Sequence, residues 1–132
     1  MKPRDAFKAL KKHAAAKPGA WEDHPWGETV YKVGKKVFVF MGVDDGSFGM
    51  SVKLPQSHEA ATTMFSWCEP TPYGLGKSGW VSARFNRADD VPFELLVQWL
   101  DESYEAIAPK RAGPRAARPA PRRRRAAPRR AK

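Results

Sequence analysis

Between Trp26 and Leu54 the chain reads WGETVYKVGKKVFVFMGVDDGSFGMSVKL, three apolar runs of strand length divided by turn residues. In Thr29–Val33 the alternation of strand side chains puts Thr29, Tyr31 and Val33 on one face and Val30 and Lys32 on the other. Gly34-Lys35 is a two-residue connection with glycine where a primed hairpin turn needs positive φ. Residues 36–42 are β-branched or aromatic on both faces, Val37, Val39 and Met41 against Phe38 and Phe40, the pattern of a central strand buried on both sides. Asp44-Asp45-Gly46 turns the chain again, and residues 50–54 alternate with Met50, Val52 and Leu54 inward and Ser51 and Lys53 outward. An antiparallel meander of this kind cannot hide its apolar face alone, so other elements must cover it.

The rest of the chain supplies the cover. Residues 2–16 are helix formers with Phe7, Leu10 and Ala14 on one face, Asp5 in the first turn, and Lys17-Pro18-Gly19 as the stop. Lys8, Lys11 and Lys12 fall on the remaining face, where a solvated surface is the expected role. After Leu54, Pro55 blocks the strand, Ser57 is the expected N-cap of a short helix with Glu59 in its first turn, and Ala60, Met64 and Phe65 form its apolar stripe. Residues 67–79 hold prolines and glycines and read as a loop with at most a brief extended piece, before Trp80–Phe85 adds a strand. That strand sets Val81, Ala83 and Phe85 opposite Trp80, Ser82 and Arg84. A last helix follows Asp89-Asp90 and Pro92, with Phe93, Leu96, Leu100, Tyr104 and Ile107 at helical spacing and Pro109 as its stop. The expected fold class is α+β: a two-layer sandwich in which an antiparallel sheet, the meander plus one added strand, packs against N- and C-terminal helices. A disordered basic tail follows it.

Charge divides the chain at the same place. Of its 24 Lys and Arg and 14 Asp and Glu, eleven basic groups and no acids lie in 109–132, which leaves 13 basic against 14 acidic groups in 1–108. The body is near neutral, and the tail carries the whole excess. We therefore divide the chain into an α+β domain, 1–108, and a disordered Arg/Ala/Pro-rich tail, 109–132. With no apolar residue larger than alanine the tail cannot build a core, and its prolines favour extended polyproline II. At about 3.1 Å per residue it reaches roughly 70 Å. Such a block of like charge is expected to meet a polyanion, arginine being suited to bidentate phosphate contacts. The Pro-Arg-Gly-Arg-Pro core of an AT-hook is missing, so sequence-specific minor-groove reading is not expected. Arg, Ala and Pro also share GC-rich codons, so a GC-rich genome can produce such a tail without selection for binding.

A single cysteine, Cys68, excludes an internal disulfide framework, and neither a signal-peptide run nor an apolar stretch of membrane-spanning length is present. The expectation is a soluble protein of the cytoplasm.

HPWGETVYKVGKKVFVF, the GxGxxGW-like turn into a strand, and the acidic turn before PFELLVQWLDESYEAI together resemble the MmcQ/YjbR family, over residues 3–108 and not the tail. The resemblance implies a fold similar to the bacterial frataxin (CyaY-like) group. It also implies DNA binding, through an analogy to double-wing readers. Frataxins bind iron on an acidic ridge of their first helix; here Lys8, Lys11 and Lys12 stand against Asp5 alone, so an iron role is not expected.

Residues 74–81, GLGKSGWV, come close to three phosphate motifs. A dinucleotide site needs a strand before the glycines and a helix after them. A Walker A loop needs a glycine where Thr71 stands and a helix from Ser78. A kinase loop needs downstream motifs that this chain lacks. A flexible glycine turn is the simpler reading, with Lys77 and exposed backbone N–H groups available to phosphates. His13, His24 and His58 have no metal spacing, and His24 reads as a turn residue. Cys68 reads as a small buried thiol rather than the nucleophile of a Cys/His pair. The five tryptophans are assigned to core and rim, with Trp26 and Trp80 flanking turns where partial exposure is expected.

The sequence therefore leads to a non-enzymatic protein that binds DNA largely without sequence preference. The tail contacts are Lys110, Arg111, Arg115, Arg118, Arg122, Arg123, Arg124, Arg125, Arg129, Arg130 and Lys132; Lys35, Lys36, Lys77 and Arg84 are the candidates on the body. The hairpin around Gly34 and the 74–79 loop are the expected wings. The partner is nucleic acid, DNA ahead of RNA, with no membrane, metal or cofactor, in the bacterial cytoplasm and in association with the nucleoid. An RNA- or ribosome-associated protein is the alternative within the same chemistry. A domain for a small ligand or partner protein, with an incidental tail, is the alternative outside it.

Overall fold

A computed structural model describes residues 1–25, 28–72 and 75–108. The expected disorder of the tail concerns residues outside that set. In chain order the elements are α1 (Pro3–Ala15), β1 (Ala20–Asp23), β2 (Thr29–Val33), β3 (Lys36–Asp44), β4 (Ser47–Lys53), α2 (His58–Met64), β5 (Cys68–Pro70), a 3₁₀ turn (Leu75–Ser78), β6 (Trp80–Phe85) and α3 (Phe93–Ile107). The strands form one antiparallel sheet in the order β1-β2-β3-β4-β6-β5. The fold is α+β in two layers, as the alternating patterns require.

Register shows which face is the core. Val39, Val52 and Val81 lie in one cross-strand row, Met41, Met50 and Ala83 in the next, and Phe48 and Phe85 beyond them. All are buried against Ala6, Leu10 and Ala14 of α1, Ala61 of α2, and Leu96, Trp99 and Leu100 of α3. Phe65, Trp67, Phe85 and Trp99 close the α2 side as an aromatic cluster, with ring centroids 4.6 Å (Phe65–Trp67), 4.9 Å (Trp67–Phe85) and 5.7 Å (Trp67–Trp99) apart.

Several details depart from the sequence expectation. β3 is not buried on both sides: Val37 and Phe40 are half-exposed. Its partner residues jump from Tyr31↔Val39 to Lys32↔Val37, so Phe38 is an extra, bulged residue. The bulge brings Phe38 as well as Val39 into the core, whereas strict alternation would separate them. β1, at one sheet edge, was not expected as a strand; β5, at the other, is the brief extended piece within 67–79; and β4 starts at Ser47, earlier than the apolar run suggests. In α2 the buried residue is Ala61; Met64 is 70% exposed. Ser57 precedes α2 but does not cap it, because its hydroxyl donates to Glu102 Oε1 on α3. Glu102 also accepts the backbone N–H groups of Gln56 and Ser57, so this carboxylate ties the segment before α2 to α3.

Candidate nucleic-acid interface

The two helices flanking the core run in the same direction. Val91 N–H donates to Met1 O where both begin, while Asp101 and Tyr104 meet His13, Lys17 and Pro18 where α1 ends. Ser103 bonds Phe38 O and Lys53 N–H, so α3 ends over the start of β3 and the end of β4. The chain therefore leaves the domain toward residue 109 at the end of the sheet that carries the β2–β3 turn and the 3₁₀ turn.

Lys35 and Lys36 occupy the β2–β3 turn and are exposed. Gly34 there has φ +63°, the conformation expected of this hairpin. Trp21 of β1, 46% exposed, donates from Nε1 to Gly34 O at 3.0 Å and braces the turn. Lys32 lies over the Trp21 ring at 5.1 Å and pairs with Asp23 at 2.8 Å, so this cation is engaged locally. Lys77, also exposed, sits in the 3₁₀ turn before β6. At about 4.8 Å per strand the β2–β3 turn and the start of β6 are roughly 12 Å apart. The structure thus gathers Lys35, Lys36 and Lys77 at the end where the tail begins.

Arg84 does not join them. It is exposed on the sheet face away from the helices, paired in register with Gly49, roughly 13 Å along β6 from Trp80. On that face Ser82 Oγ is 2.8 Å from Ser51 Oγ and 3.0 Å from Thr71 Oγ1, beside an edge-on Phe40–Trp80 pair at 5.6 Å. Trp80 is only 8% exposed and offers no stacking surface, contrary to the expectation of partial exposure. Trp26 and Gly74 lie outside the described residues, and so do all eleven tail cations.

In the described part of the glycine-rich segment, residues 75–79, Gly76 and Gly79 are tied into the surrounding backbone. Gly76 N–H donates to Thr71 O, Gly79 N–H to Gly76 O, and Leu54 N–H to Gly79 O. A Cβ at Gly76 would stand 2.7 Å from Pro70 Cβ, and Gly79 has φ +91°. Gly76 and Gly79 serve close packing and backbone conformation, their N–H groups are used internally, and a strand follows. What remains for phosphate is the Lys77 side chain.

Several titratable groups are engaged within the fold. Burial pushes the Cys68 thiol up to about 12, and Ala83 is its register partner. His58 Nδ1 is 2.8 Å from Leu54 O. Glu22 accepts from the Tyr31 hydroxyl at 2.6 Å and lies 2.7 Å from His24 Nε2; the Tyr31 bond above all holds its carboxyl below the ordinary range. Tyr31 is pushed up by burial first and then by Glu22, which makes it a donor rather than an acid. Among the described residues no group of three or more His, Cys, Asp or Glu is placed to hold a metal ion, and no helix is long and apolar enough to cross a membrane.

Comparison with family models matches residues 15–106 to YjbR. Among curated proteins none matches. The crystal structure of Deinococcus radiodurans protein DR2400, with a DUF419 domain, is similar at a TM-score of 0.64 and 25% identity, covering 81% of this chain and 79% of that one. A Pseudomonas syringae protein, structural-genomics target PsR293, is similar at a TM-score of 0.55 and 14% identity over 76% of this chain and 97% of its own, a likeness of fold alone.

Proposed function

The chain belongs to the YjbR family, and we propose that this member binds DNA, largely without sequence preference and without catalysing a reaction, through its C-terminal tail assisted by one end of the folded domain. The observation that carries the proposal is the convergence of Lys35, Lys36 and Lys77 on the end from which the eleven-cation tail departs. A polyanion held by the tail is delivered to that end, where exposed ammonium groups add contacts. Phosphate contacts position a protein on a duplex but carry no base information, which fits binding through cationic side chains. The domain's own charge, near −1, gives it little long-range attraction for DNA, so affinity falls to the tail. Arg84, on the outer face, is assigned a secondary role. The cellular setting implied is the bacterial cytoplasm, in association with the nucleoid.

The test is fluorescence anisotropy on two duplexes of unrelated sequence. Reversing Arg122, Arg123, Arg124 and Arg125 to glutamate should weaken binding to both alike. Alanine at Lys35, Lys36 and Lys77 together should weaken it less. Binding that survives the tail reversal unchanged, or differs strongly between the duplexes, contradicts the proposal; tighter binding to a matched RNA duplex would redirect it to RNA.

A further inference from the structure

At the opposite end of the sheet, the first turn of α1, the β3–β4 turn and the segment after β6 line an open cavity of about 270 Å³, formed by Lys2, Pro3, Arg4, Asp45, Gly46 and Arg87. Three of these side chains are cationic and one is acidic, a local excess of positive charge in a body whose basic and acidic groups as a whole nearly balance. We propose that this cavity binds a phosphate group, presented by a small phosphorylated molecule or by a nucleic-acid backbone. The site lies beyond the tail-borne interface proposed above, since the 15 residues of α3 separate the two ends by about 22 Å.

Two of the three cations are held beside the cavity, and the third is free to meet an anion there. Gly46 has φ +83°, and a Cβ there would come within 3.0 Å of Arg87 Cβ, so the glycine lets Arg87 lie across the turn. Arg87 donates to Asp45 at 2.7 Å, an exposed pair that leaves guanidinium N–H groups to spare. Lys2 Nζ donates to Ala88 O at 3.2 Å, which keeps its ammonium beside the cavity. Arg4 is exposed and has no acidic partner among the described residues. Of the charges around the cavity, the N-terminal ammonium pairs with Asp90, while Asp5, Asp44 and Asp89 are exposed to solvent outside its lining. α1 starts here with no side-chain cap, so its first N–H groups and its dipole add to the attraction of the three cations. Drug-sized ligands occupy roughly 300–1,000 Å³, so this smaller space suits a single group rather than a whole cofactor.

The experiment titrates inorganic phosphate into the full-length chain at constant ionic strength and follows backbone amides by NMR, which separates the cavity from the tail. Saturable shifts are expected at Arg4, Asp5, Gly46 and Arg87. Arg4→Ala with Arg87→Ala should weaken them about tenfold or more, the factor one charge-assisted hydrogen bond carries. Lys8→Ala with Lys12→Ala, on the same helix outside the cavity, should not. Arg4→Gln alone is the milder variant if the double one unfolds. Shifts that fail to saturate, or an Arg4 variant that binds as the parent does, would overturn the proposal. Two further arms identify the source: competition by a mononucleotide with an unchanged duplex salt slope indicates a small molecule, and a duplex slope about 2 shallower in the double variant indicates the nucleic-acid backbone. Tail reversal leaves the cavity shifts in place, so this site and the tail interface fail or stand separately.

Discussion

Ser103→Ala is the sharpest probe of how α3 is fastened to the sheet. The hydroxyl is fully buried, donates to Phe38 O and accepts from Lys53 N–H at 2.9 Å. Both backbone groups sit where the Phe38 bulge ends the ladder: β3 and β4 pair as far as Val39↔Val52, and Phe38 is skipped between β2 and β3. A helix side chain thus replaces the partners that the bulge removes. Alanine fits the space but leaves a carbonyl and an N–H buried, at about 1–3 kcal/mol each. Allowing for partial relaxation and entry of water, the loss should total about 2–4 kcal/mol. For a domain near 100 residues each kcal/mol moves Tm by about 4–8 °C, so a fall of at least about 8 °C is expected. Urea unfolding followed by far-UV circular dichroism measures the loss, and an unchanged m-value would confirm a folded-state effect. A change under about 0.5 kcal/mol would refute the claim that this hydroxyl completes the sheet.

Other outcomes follow from the same packing. Leu100, fully buried, should cost about 2–5 kcal/mol as alanine, and exposed Gln98 under about 0.5 kcal/mol; equal losses by urea unfolding would place the wrong face of α3 in the core. Asp101, although burial raises its carboxyl, is held below its ordinary value of 3.8 by Lys17 and His13. Its contribution is therefore present above about that pH and lost as pH falls through the depressed folded value, so Asp101→Asn should cost about 0.2–1 kcal/mol at pH 7 and progressively less in acid. A gap that widens below pH 4 would contradict this. Cys68, with its thiol raised by burial, should react with a thiol reagent at pH 8 at least about a hundredfold more slowly when folded than in urea, and equal rates would mean that it is not buried.

Much of the architecture was legible because alternation and helical spacing report burial directly. β2, β6 and α3 lie where their patterns put them, and Met50, Val52 and Leu54 are buried as expected. The edge strands β1 and β5 carry little apolar alternation (AWED and CEP), and they form by pairing with neighbours already in the sheet. The bulge at Phe38 was hidden because all the residues around it are apolar. Ser57 resembles a cap in one dimension, but Glu102, far along the chain, claims its hydroxyl. For the candidate sites, the sequence identified cations and not their grouping. Only the topology places Lys35, Lys36 and Lys77 together, removes Arg84, and assembles Lys2, Arg4 and Arg87 around one cavity. The first three residues of that cavity's lining come from one stretch, but Arg87 arrives from more than eighty residues away. No spacing rule links them.

The central claim, that the tail carries affinity for DNA, is tested most directly by titrating a duplex with the full chain and with residues 1–108 across a range of salt, after checking that the shorter chain is folded. If about half of the eleven tail cations engage phosphates, log K for the full chain should fall against log salt with a slope near −5, at about −0.9 per contact. Residues 1–108 should then show little binding near physiological salt. A truncated domain that binds as tightly as the whole chain, with the same slope, would contradict the account.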